Sequence, residues 1–314
     1  MENPTDAAIE KAFASGAILR THVMRPTWHF VAAEDIRWML MLTSRRVNAI
    51  NKHYYRKLEL DDTIFKRSHK VLVRALRGGK HLTRVELRSV LDKAGIATDL
   101  PSRLGHILAR AELDAIICNG PRKGKHFTYA LLDERAKRTR SLTRDGALAE
   151  LTRRYFTSHG PATLQDFAWW SGLTIADIRA GLAMVQHDIL DETIDDKRYW
   201  FSSSVPDVKR PSRVVYLLPS YDEYLIAYKD RSASLDASQL EKSMATNPVF
   251  DSPIVIGGRV VGTWRRTLKD DSVVVSIRPF LSFGKAQKAA VMDAARRYGA
   301  FLGLKTSVET LKPV

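Results

Sequence analysis

The sequence "LTRVELRSVLDKAGIATDLPSRLGHILARAELDAIICNGPRKGKHFTYALL", residues 82–132, decides the fold. Thr83 followed three residues later by Glu86 is the capping-box pattern at the start of a helix, which Gly95 ends. Ser102 is a candidate N-cap for a second helix. Two β-like runs then flank the Gly- and Pro-containing loop "NGPRKGK". Two helices followed by a two-stranded hairpin predict a winged helix.

The same order of elements recurs later in the chain. Thr163 with Asp166 and Thr174 with Asp177 are two further cap patterns, separated by a turn of the helix-turn-helix kind, and "ILDETIDDKRYWF" supplies another hairpin. The N-terminal segment contains one helix-like run, "PTDAAIEKAFASG", and two strand-like runs, "AILRTHVM" and "TWHFV". We therefore interpret it as the last helix and the wing of a third copy.

The last third of the chain changes character. "RVVYLLPSYDEYLIAYKDRS", "SPIVIGGRVVGTWRRTL" and "DSVVVSIRPFLSF" are β-rich, and "GKAQKAAVMDAARRYGAFLG" predicts a closing helix. The predicted fold class is therefore α+β, with tandem winged-helix modules and a C-terminal β-rich domain. We predict a partial first winged helix at 1–43, a basic helical connector at 44–80, a second winged helix with linker at 81–150, a third at 151–212 and the β-rich domain at 213–314.

The charge favours a polyanionic partner. The chain has 314 residues, with 50 Lys and Arg against 35 Asp and Glu, a net charge of +15. Such an excess is typical of proteins that bind nucleic acid or an acidic membrane surface, although a basic protein with neither partner is the alternative. The 151–212 segment alone carries a small negative net charge. That segment is therefore a poor candidate for contacting phosphates, and the other segments are better candidates.

Other classes of protein are disfavoured by composition. Cys118 is the single cysteine, which excludes a disulfide framework and a cysteine-based metal site, and we expect it to be a small buried side chain. No apolar run approaches the roughly 18 residues that a membrane helix needs, and the N-terminus is too polar for a signal peptide. We expect a cytoplasmic, nucleoid-associated protein with no metal and no cofactor.

The second winged helix carries the best phosphate contacts that chemistry alone suggests. Its second helix would be the recognition helix, and its wing is rich in cations. The predicted contacts are Arg103, His106 and Arg110 on the helix, and Arg122, Lys123 and Lys125 on the wing.

The run "ILRTHVMRPTWHFV", residues 18–31, concentrates hydrogen-bonding and stacking groups on one hairpin. His22, Arg25 and His29 are candidates for contacts to phosphates or exposed bases, and packing inside the protein is the equal alternative. Trp28 and Phe30 share a strand face, and for them we predict packing into the core.

Two motifs in the β-rich domain are also candidates. In "SYDEYLIAYKDRS", Asp222 could orient a water or an arginine, and Lys229 and Arg231 could contact phosphate, but a structural ion-pair cluster is the favoured alternative. In "TWRR", Arg265 and Arg266 are candidates for backbone contacts, with simple surface exposure as the alternative.

Three motifs together resemble the AlkZ-like winged-helix DNA-binding family. They are "LRTHVMRPTWHFVAAEDIRWML", "LPSYDEYLIAYKDRS" and "GGRVVGTWRRTL", in that order around tandem winged helices. The resemblance implies bacterial DNA glycosylases that excise bulky N-alkylated purines or unhook interstrand crosslinks. It also implies a concave, basic cleft for damaged double-stranded DNA and no metal. We expect a monomer.

The catalytic signature of that family is Gln-x-Gln or Gln-x-Asp, upstream of the first motif. The glutamines here are Gln165, Gln186, Gln239 and Gln287, and none forms the signature. No catalytic residue is therefore carried over. We expect that the chain begins inside the first winged helix and binds DNA without excising a base. The alternatives are a non-enzymatic transcription regulator and a protein–protein interaction module.

Overall fold

A computed structural model of the chain describes residues 5–137, 139–204, 214–236 and 251–313. The chain divides into two compact units, a larger unit of Ala8–Ser203 and a smaller unit of Met1–Ala7 with Ser204–Val314. Both helices and strands are present, so the protein is of the predicted α+β class. Within the described ranges, no helix is both long and apolar enough to cross a membrane.

The N-terminal hairpin is antiparallel and closes through a tight turn. Helix α1 (Asp6–Ser15) precedes strands β1 (Ile18–Val23) and β2 (Arg25–Ala32). Met24 makes the turn with a φ of 63°. Helices α2 (Ile36–Lys57) and α3 (Asp62–Leu76) follow. Helix α2 runs through residue 43, where the sequence analysis placed a boundary.

Residues 58–131 form a helical layer on a small sheet. The elements are α3, β3 (Leu82–Thr83), α4 (Arg84–Lys93), α5 (Arg103–Leu113), β4 (Ile117–Lys123) and β5 (His126–Leu131). The sheet order is β3-β5-β4. Tyr55 of α2 and Leu72 of α3 share one core with Leu91, Leu108 and Ile117. The predicted connector is therefore part of this core.

The capping predictions for these helices have different outcomes. At α4 the capping box is present, because Thr83 Oγ1 accepts from the Glu86 N–H at 3.3 Å and Glu86 accepts from the Thr83 N–H at 2.7 Å. At α5 the prediction is wrong. Ser102 has a φ of 69° and its side chain makes no capping hydrogen bond.

A third group of elements completes the larger unit. They are α6 (Leu132–Arg135), α7 (Arg144–His159), α8 (Leu164–Ser171), α9 (Ile175–Met184), β6 (Ile189–Ile194) and β7 (Lys197–Ser202). The side chains of Thr163 and Thr174 cap α8 and α9 as predicted. Between these helices, Gly172 has a φ of 70°, and a Cβ there would lie 2.3 Å from the Met24 carbonyl oxygen. The α8–α9 turn therefore packs directly on the β1–β2 turn.

An ion-pair network fastens α7 to the residue before α2. Arg154 donates to Asp35 at 2.6 Å and to Glu150 at 2.8 Å. Burial alone would raise the pKa of Asp35, but hydrogen bonds from Arg154 and Trp38 hold that pKa below its usual value. A buried carboxylate with such partners is costly to disrupt, so this contact fixes α7 against α2.

In the described residues of the smaller unit, five strands form one sheet, and a long C-terminal helix covers it. Its elements are β8 (Val215–Leu217), α10 (Glu223–Ile226), β9 (Ser252–Ile256), β10 (Arg259–Leu268), β11 (Ser272–Pro279), α11 (Lys285–Leu302) and β12 (Lys305–Thr310). The strand order is β12-β11-β10-β9-β8, and only the β11–β12 pair is parallel. Val291 and Ala295 of α11 pack on Ile254, Trp264 and Val275 of the sheet.

Candidate nucleic-acid interface

The outer face of the β1–β2 hairpin carries two exposed aromatic rings. Trp28 is 41% exposed and Phe30 is 61% exposed. In the hairpin register Trp28 lies opposite His22, and Phe30 lies opposite Arg20. The prediction that both rings pack into the core is wrong, because the opposite face of the hairpin, which includes Leu19, is the buried one.

Arg20 is held between two rings. Its guanidinium carbon lies 4.2 Å from the ring centroid of Trp28 and 4.2 Å from that of Phe127. Its Nη1 also donates to Asn119 Oδ1 at 2.8 Å. Arg20 is not among the contacts predicted from the sequence, although it lies opposite the exposed Phe30 in the hairpin register.

His22 faces the protein interior. Its ring Nδ1 contacts the Glu112 carboxylate of α5, and its backbone N–H donates to the same Glu112 oxygen at 3.2 Å. The other oxygen, Glu112 Oε1, is buried with no hydrogen-bond partner among the described residues. Of the two alternatives for His22, the structure therefore favours packing inside. The pair ties β1 to α5.

His29 and Arg25 lie half-buried on the return strand. Burial, together with repulsion from the nearby Arg25 and His22, lowers the pKa of His29 to about 4. The Nε2 of His29 is 2.9 Å from Thr27 Oγ1. At neutral pH the His29 ring is therefore uncharged, and it can offer a hydrogen bond but no charge to a ligand.

The β4–β5 hairpin presents the three cations that the sequence analysis assigned to it. Arg122 pairs with Glu10 at 2.9 Å, and Lys123 pairs with Glu86 at 2.9 Å. Lys125 is exposed at the tip. The hydrogen bond from Lys123, followed by that from the Thr83 backbone, lowers the pKa of Glu86 to about 2. Exposed ion pairs of this kind contribute only about 0–1 kcal/mol, so phosphates can replace the carboxylates.

Two of the predicted recognition-helix residues, Arg103 and Arg110, have hydrogen-bond partners within the protein. Arg103 is buried, and it donates to the backbone oxygens of Ala97, at 2.9 Å, and of Leu58. Arg110 donates to Asp114 at 2.7 Å. Arg103 therefore ties α5 to the residues that precede it, whereas Arg110 pairs within the last turn of its own helix.

His106 is half-buried on α5. Its ring stacks on Tyr54 at a centroid distance of 5.3 Å, and burial lowers its pKa, with a further contribution from His22. The ring is thus packed between helices, and only its outer part can contact a ligand.

A groove of about 400 Å³ lies where the β1–β2 hairpin, the start of α4 and β5 meet. Arg84 is exposed at its edge, and its guanidinium packs over Gly105, where a Cβ would lie 3.2 Å from Arg84 Nη2. Val85 is 77% exposed. The lining residues are Arg20, Trp28, Thr83, Arg84, Val85, His126, Phe127 and Tyr129. None of these eight described side chains is a carboxylate.

In the smaller unit, "SYDEYLIAYKDRS" forms a helical turn and a loop, and the β-rich interpretation of this run is wrong. Asp222 caps α10 by accepting from the Tyr224 N–H at 2.9 Å. Arg231 donates from Nε to the Leu225 oxygen at 2.8 Å, and Lys229 is exposed. Asp222 and Arg231 therefore stabilise this loop through a helix cap and a hydrogen bond to the backbone, and the predicted ion-pair cluster stays a prediction.

The two arginines of "TWRR" are exposed on β10. Arg265 is 3.9 Å from Asp251 and its side chain is 75% exposed. Arg266 donates to the hydroxyl of Tyr298, whose ring edge packs on Trp264. These positions leave both arginines open to solvent within the smaller unit, so phosphate contact stays a prediction for them.

The described part of the chain contains neither a metal-binding cluster nor an exposed thiol. Cys118 is fully buried as expected, and burial raises its pKa to about 12. The described residues hold no group of three or more His, Cys, Asp or Glu side chains that could bind a metal ion.

Comparisons with known proteins agree with one another. A family model described as DNA glycosylase AlkZ-like matches residues 1–301, and this match gives no support to the expectation that the chain begins inside the first module. An interstrand DNA cross-link repair glycosylase of Streptomyces sahachiroi is 22% identical over 292 residues, 88% of this chain and 77% of that protein. The solved structure of Streptomyces sahachiroi DNA glycosylase AlkZ has a TM-score of 0.80 at 20% identity, covering 99% of this chain and 86% of that one.

Proposed function

Because the chain belongs to the AlkZ-like DNA glycosylase family, we propose that it binds damaged double-stranded DNA. We place the binding surface on the β4–β5 hairpin of the larger unit. We interpret residues 58–131 as a winged helix and this hairpin as its wing. Family membership supports a role in DNA repair. Binding without base excision is the finer part of the proposal, and it rests on the absence of Gln-x-Gln and Gln-x-Asp from this sequence.

One observation carries the proposal. The three wing cations, Arg122, Lys123 and Lys125, project from a hairpin tip, and two of them pair with carboxylates in solvent-exposed ion pairs. Phosphates can take the place of Glu10 and Glu86 at little cost. Each phosphate neutralised releases counterions, so binding falls steeply with salt.

The experiment measures the affinity for a duplex by fluorescence anisotropy across a salt series. The triple change Arg122→Ala, Lys123→Ala and Lys125→Ala should reduce the slope of log K against log salt by about 2–3, at about 0.9 per phosphate contact. The matched control removes three exposed cations of the α3 helix, through Lys66→Ala, Lys70→Ala and Arg74→Ala.

The outcomes separate the competing functions. Equal loss of slope in the control would refute the wing assignment, and salt-insensitive or absent binding would favour the protein–protein module. Tight binding to one undamaged sequence would favour a transcription regulator. Release of N7-methylguanine from alkylated duplex by this chain would contradict binding without excision.

A further inference from the structure

We propose that the outer edge of strand β6 is a docking site for an extended basic segment of another protein, which adds to the β6–β7 hairpin as a third strand. The hairpin belongs to the larger unit, and such docking is independent of DNA binding. Three features of the hairpin support it, namely its open main-chain groups, its exposed aliphatic side chains and its acidic charge.

The main chain along the outer edge of β6 has hydrogen-bonding groups that face away from the hairpin. The N–H and C=O of Trp200 in β7 bond to Ala162, at 2.9 and 3.0 Å, so they do not bond to Asp191, which lies opposite Trp200. Bonded and non-bonded positions alternate in an antiparallel pair, so the main-chain groups of Asp191 and Thr193 point away from β7. Among the described residues β6 and β7 form a two-stranded sheet. Such an open edge is a template for an added strand.

The side chains that an added strand would meet combine aliphatic groups with a carboxylate. Leu190 is 51% exposed and Ile194 is 50% exposed, and both share one face of β6 with the exposed Glu192. On the opposite face, Asp191 is already bound through both carboxylate oxygens to Arg198, at 2.7 and 2.8 Å. The first face therefore suits a strand that carries an apolar, a basic and an apolar residue at alternate positions.

The charge of this hairpin is opposite to that of the whole chain. Residues 188–198 contain five acids and two bases, whereas the chain has a net charge of +15. Such a surface repels a DNA backbone and attracts a basic peptide. A second copy paired edge to edge would place like acids opposite one another, which destabilises the pairing. A basic segment of a different protein is therefore the partner that fits.

The probe is the fluorescently labelled peptide Lys-Thr-Val-Thr-Lys-Thr-Val-Thr-Lys, whose two valines and central lysine would face Leu190, Ile194 and Glu192. Fluorescence anisotropy measures its binding to the full chain at low salt and without DNA. The control peptide has the same composition and charge, but its two valines are adjacent. It should bind about tenfold more weakly, because only one of its valines can pack on the hairpin.

Methylation of the peptide nitrogens tests strand addition itself. The two threonines that flank the central lysine would exchange hydrogen bonds with Asp191 and Thr193, so methylating their nitrogens should weaken binding about tenfold or more. The matched control methylates the central lysine and one valine, whose N–H groups would point away from β6. That change should leave the affinity within about twofold of the parent peptide.

Two variants of the protein test the edge from the other side. Ile194→Lys replaces an aliphatic side chain with a cation, and Glu192→Lys reverses the central charge, so each should weaken peptide binding about tenfold. Asp270→Lys is the matched control, because it makes the same change of charge at an exposed position in the smaller unit. The peptide should bind this control as tightly as it binds the wild type.

Equal binding of the two unmethylated peptides, or equal effects of the two methylation patterns, would overturn the proposal, since binding would then reflect charge alone. No binding of the probe would also overturn it, and would show that the acids only protect the edge from pairing. Self-association in sedimentation that Ile194→Lys abolishes would assign the edge to a second copy instead. Duplex affinity should be the same in the wild type and in Ile194→Lys, so failure of docking and failure of DNA binding are distinguishable.

Discussion

Replacing Gly172 by alanine should sharply destabilise the larger unit. Gly172 ends α8 with a φ of 70°, and its missing Cβ leaves room for the Met24 carbonyl oxygen, which would lie 2.3 Å from that Cβ. The neighbour is a backbone oxygen, so no side-chain rotation relieves the overlap. The contact joins the α8–α9 turn to the hairpin that carries Trp28.

The magnitude follows from two contributions. A left-handed conformation costs a non-glycine residue roughly 1–2 kcal/mol, and overpacking at a closed contact costs about 1–3 kcal/mol more. We therefore expect a loss of about 2–5 kcal/mol in the free energy of unfolding. Gly124→Ala is the matched control, because Gly124 has a φ of 62° and nothing within 4 Å of its missing Cβ, so only the first contribution applies.

Urea unfolding followed by tryptophan fluorescence is the appropriate assay, because five of the six tryptophans lie in the larger unit and only Trp264 lies in the smaller one. The Gly172→Ala transition should occur at clearly lower urea than the Gly124→Ala transition. Equal midpoints for the two variants would refute the reasoning, since they would show that the Met24 contact contributes nothing beyond backbone strain.

Three further predictions concern pH, packing and phosphate contact. The pKa of His29 is about 4 in the folded state and 6.5 in the unfolded state, so the unfolded state binds more protons between these two values. His29 should therefore lower the free energy of unfolding by about 2 kcal/mol between pH 7.5 and pH 5.0. Urea unfolding of His29→Asn should lack this pH-dependent loss. Gly299→Ala should lower the melting temperature of the smaller unit, because its Cβ would lie 1.7 Å from Thr306 Oγ1, and adding Thr306→Ala should recover most of the loss. Lys125→Ala should reduce the salt slope of duplex binding by about 1, whereas Lys93→Ala at the exposed end of α4 should leave it unchanged.

Local patterns in the sequence predicted the local structure well. The caps at Thr83, Thr163 and Thr174 and the N-terminal hairpin are present because neighbouring residues alone determine them. The cap predicted at Ser102 is absent, because there the local pattern does not determine the backbone conformation. A serine before a helical run is a sufficient pattern for a cap, but the backbone at Ser102 is in the left-handed region and its hydroxyl cannot reach the helix.

The candidate site was harder to predict, because its composition depends on contacts between distant segments. Arg103 has the right spacing for a recognition helix, yet it is buried against backbone oxygens 45 and 6 residues away. Trp28 is as apolar as a core residue, yet the opposite face of its hairpin is the one that packs inside. Arg20 is fixed by Phe127, a residue more than 100 positions away, and no local pattern indicates that contact. Sequence periodicity shows which residues share one face of a helix or strand, but it does not show which other helix or strand packs on that face.

The shared core of α2 and residues 58–131 bears on how such proteins diversify. Tyr55 belongs to a helix that starts beside the first hairpin, yet it packs with Leu72 and Leu108 of the next repeat. The repeat seen in the sequence is therefore not an independent folding unit. A gene fusion that exchanged one repeat at its apparent boundary would remove Tyr55 from the core it shares with Leu72 and Leu108. New specificities are therefore expected to arise by changes at exposed hairpin tips and not by exchange of whole repeats.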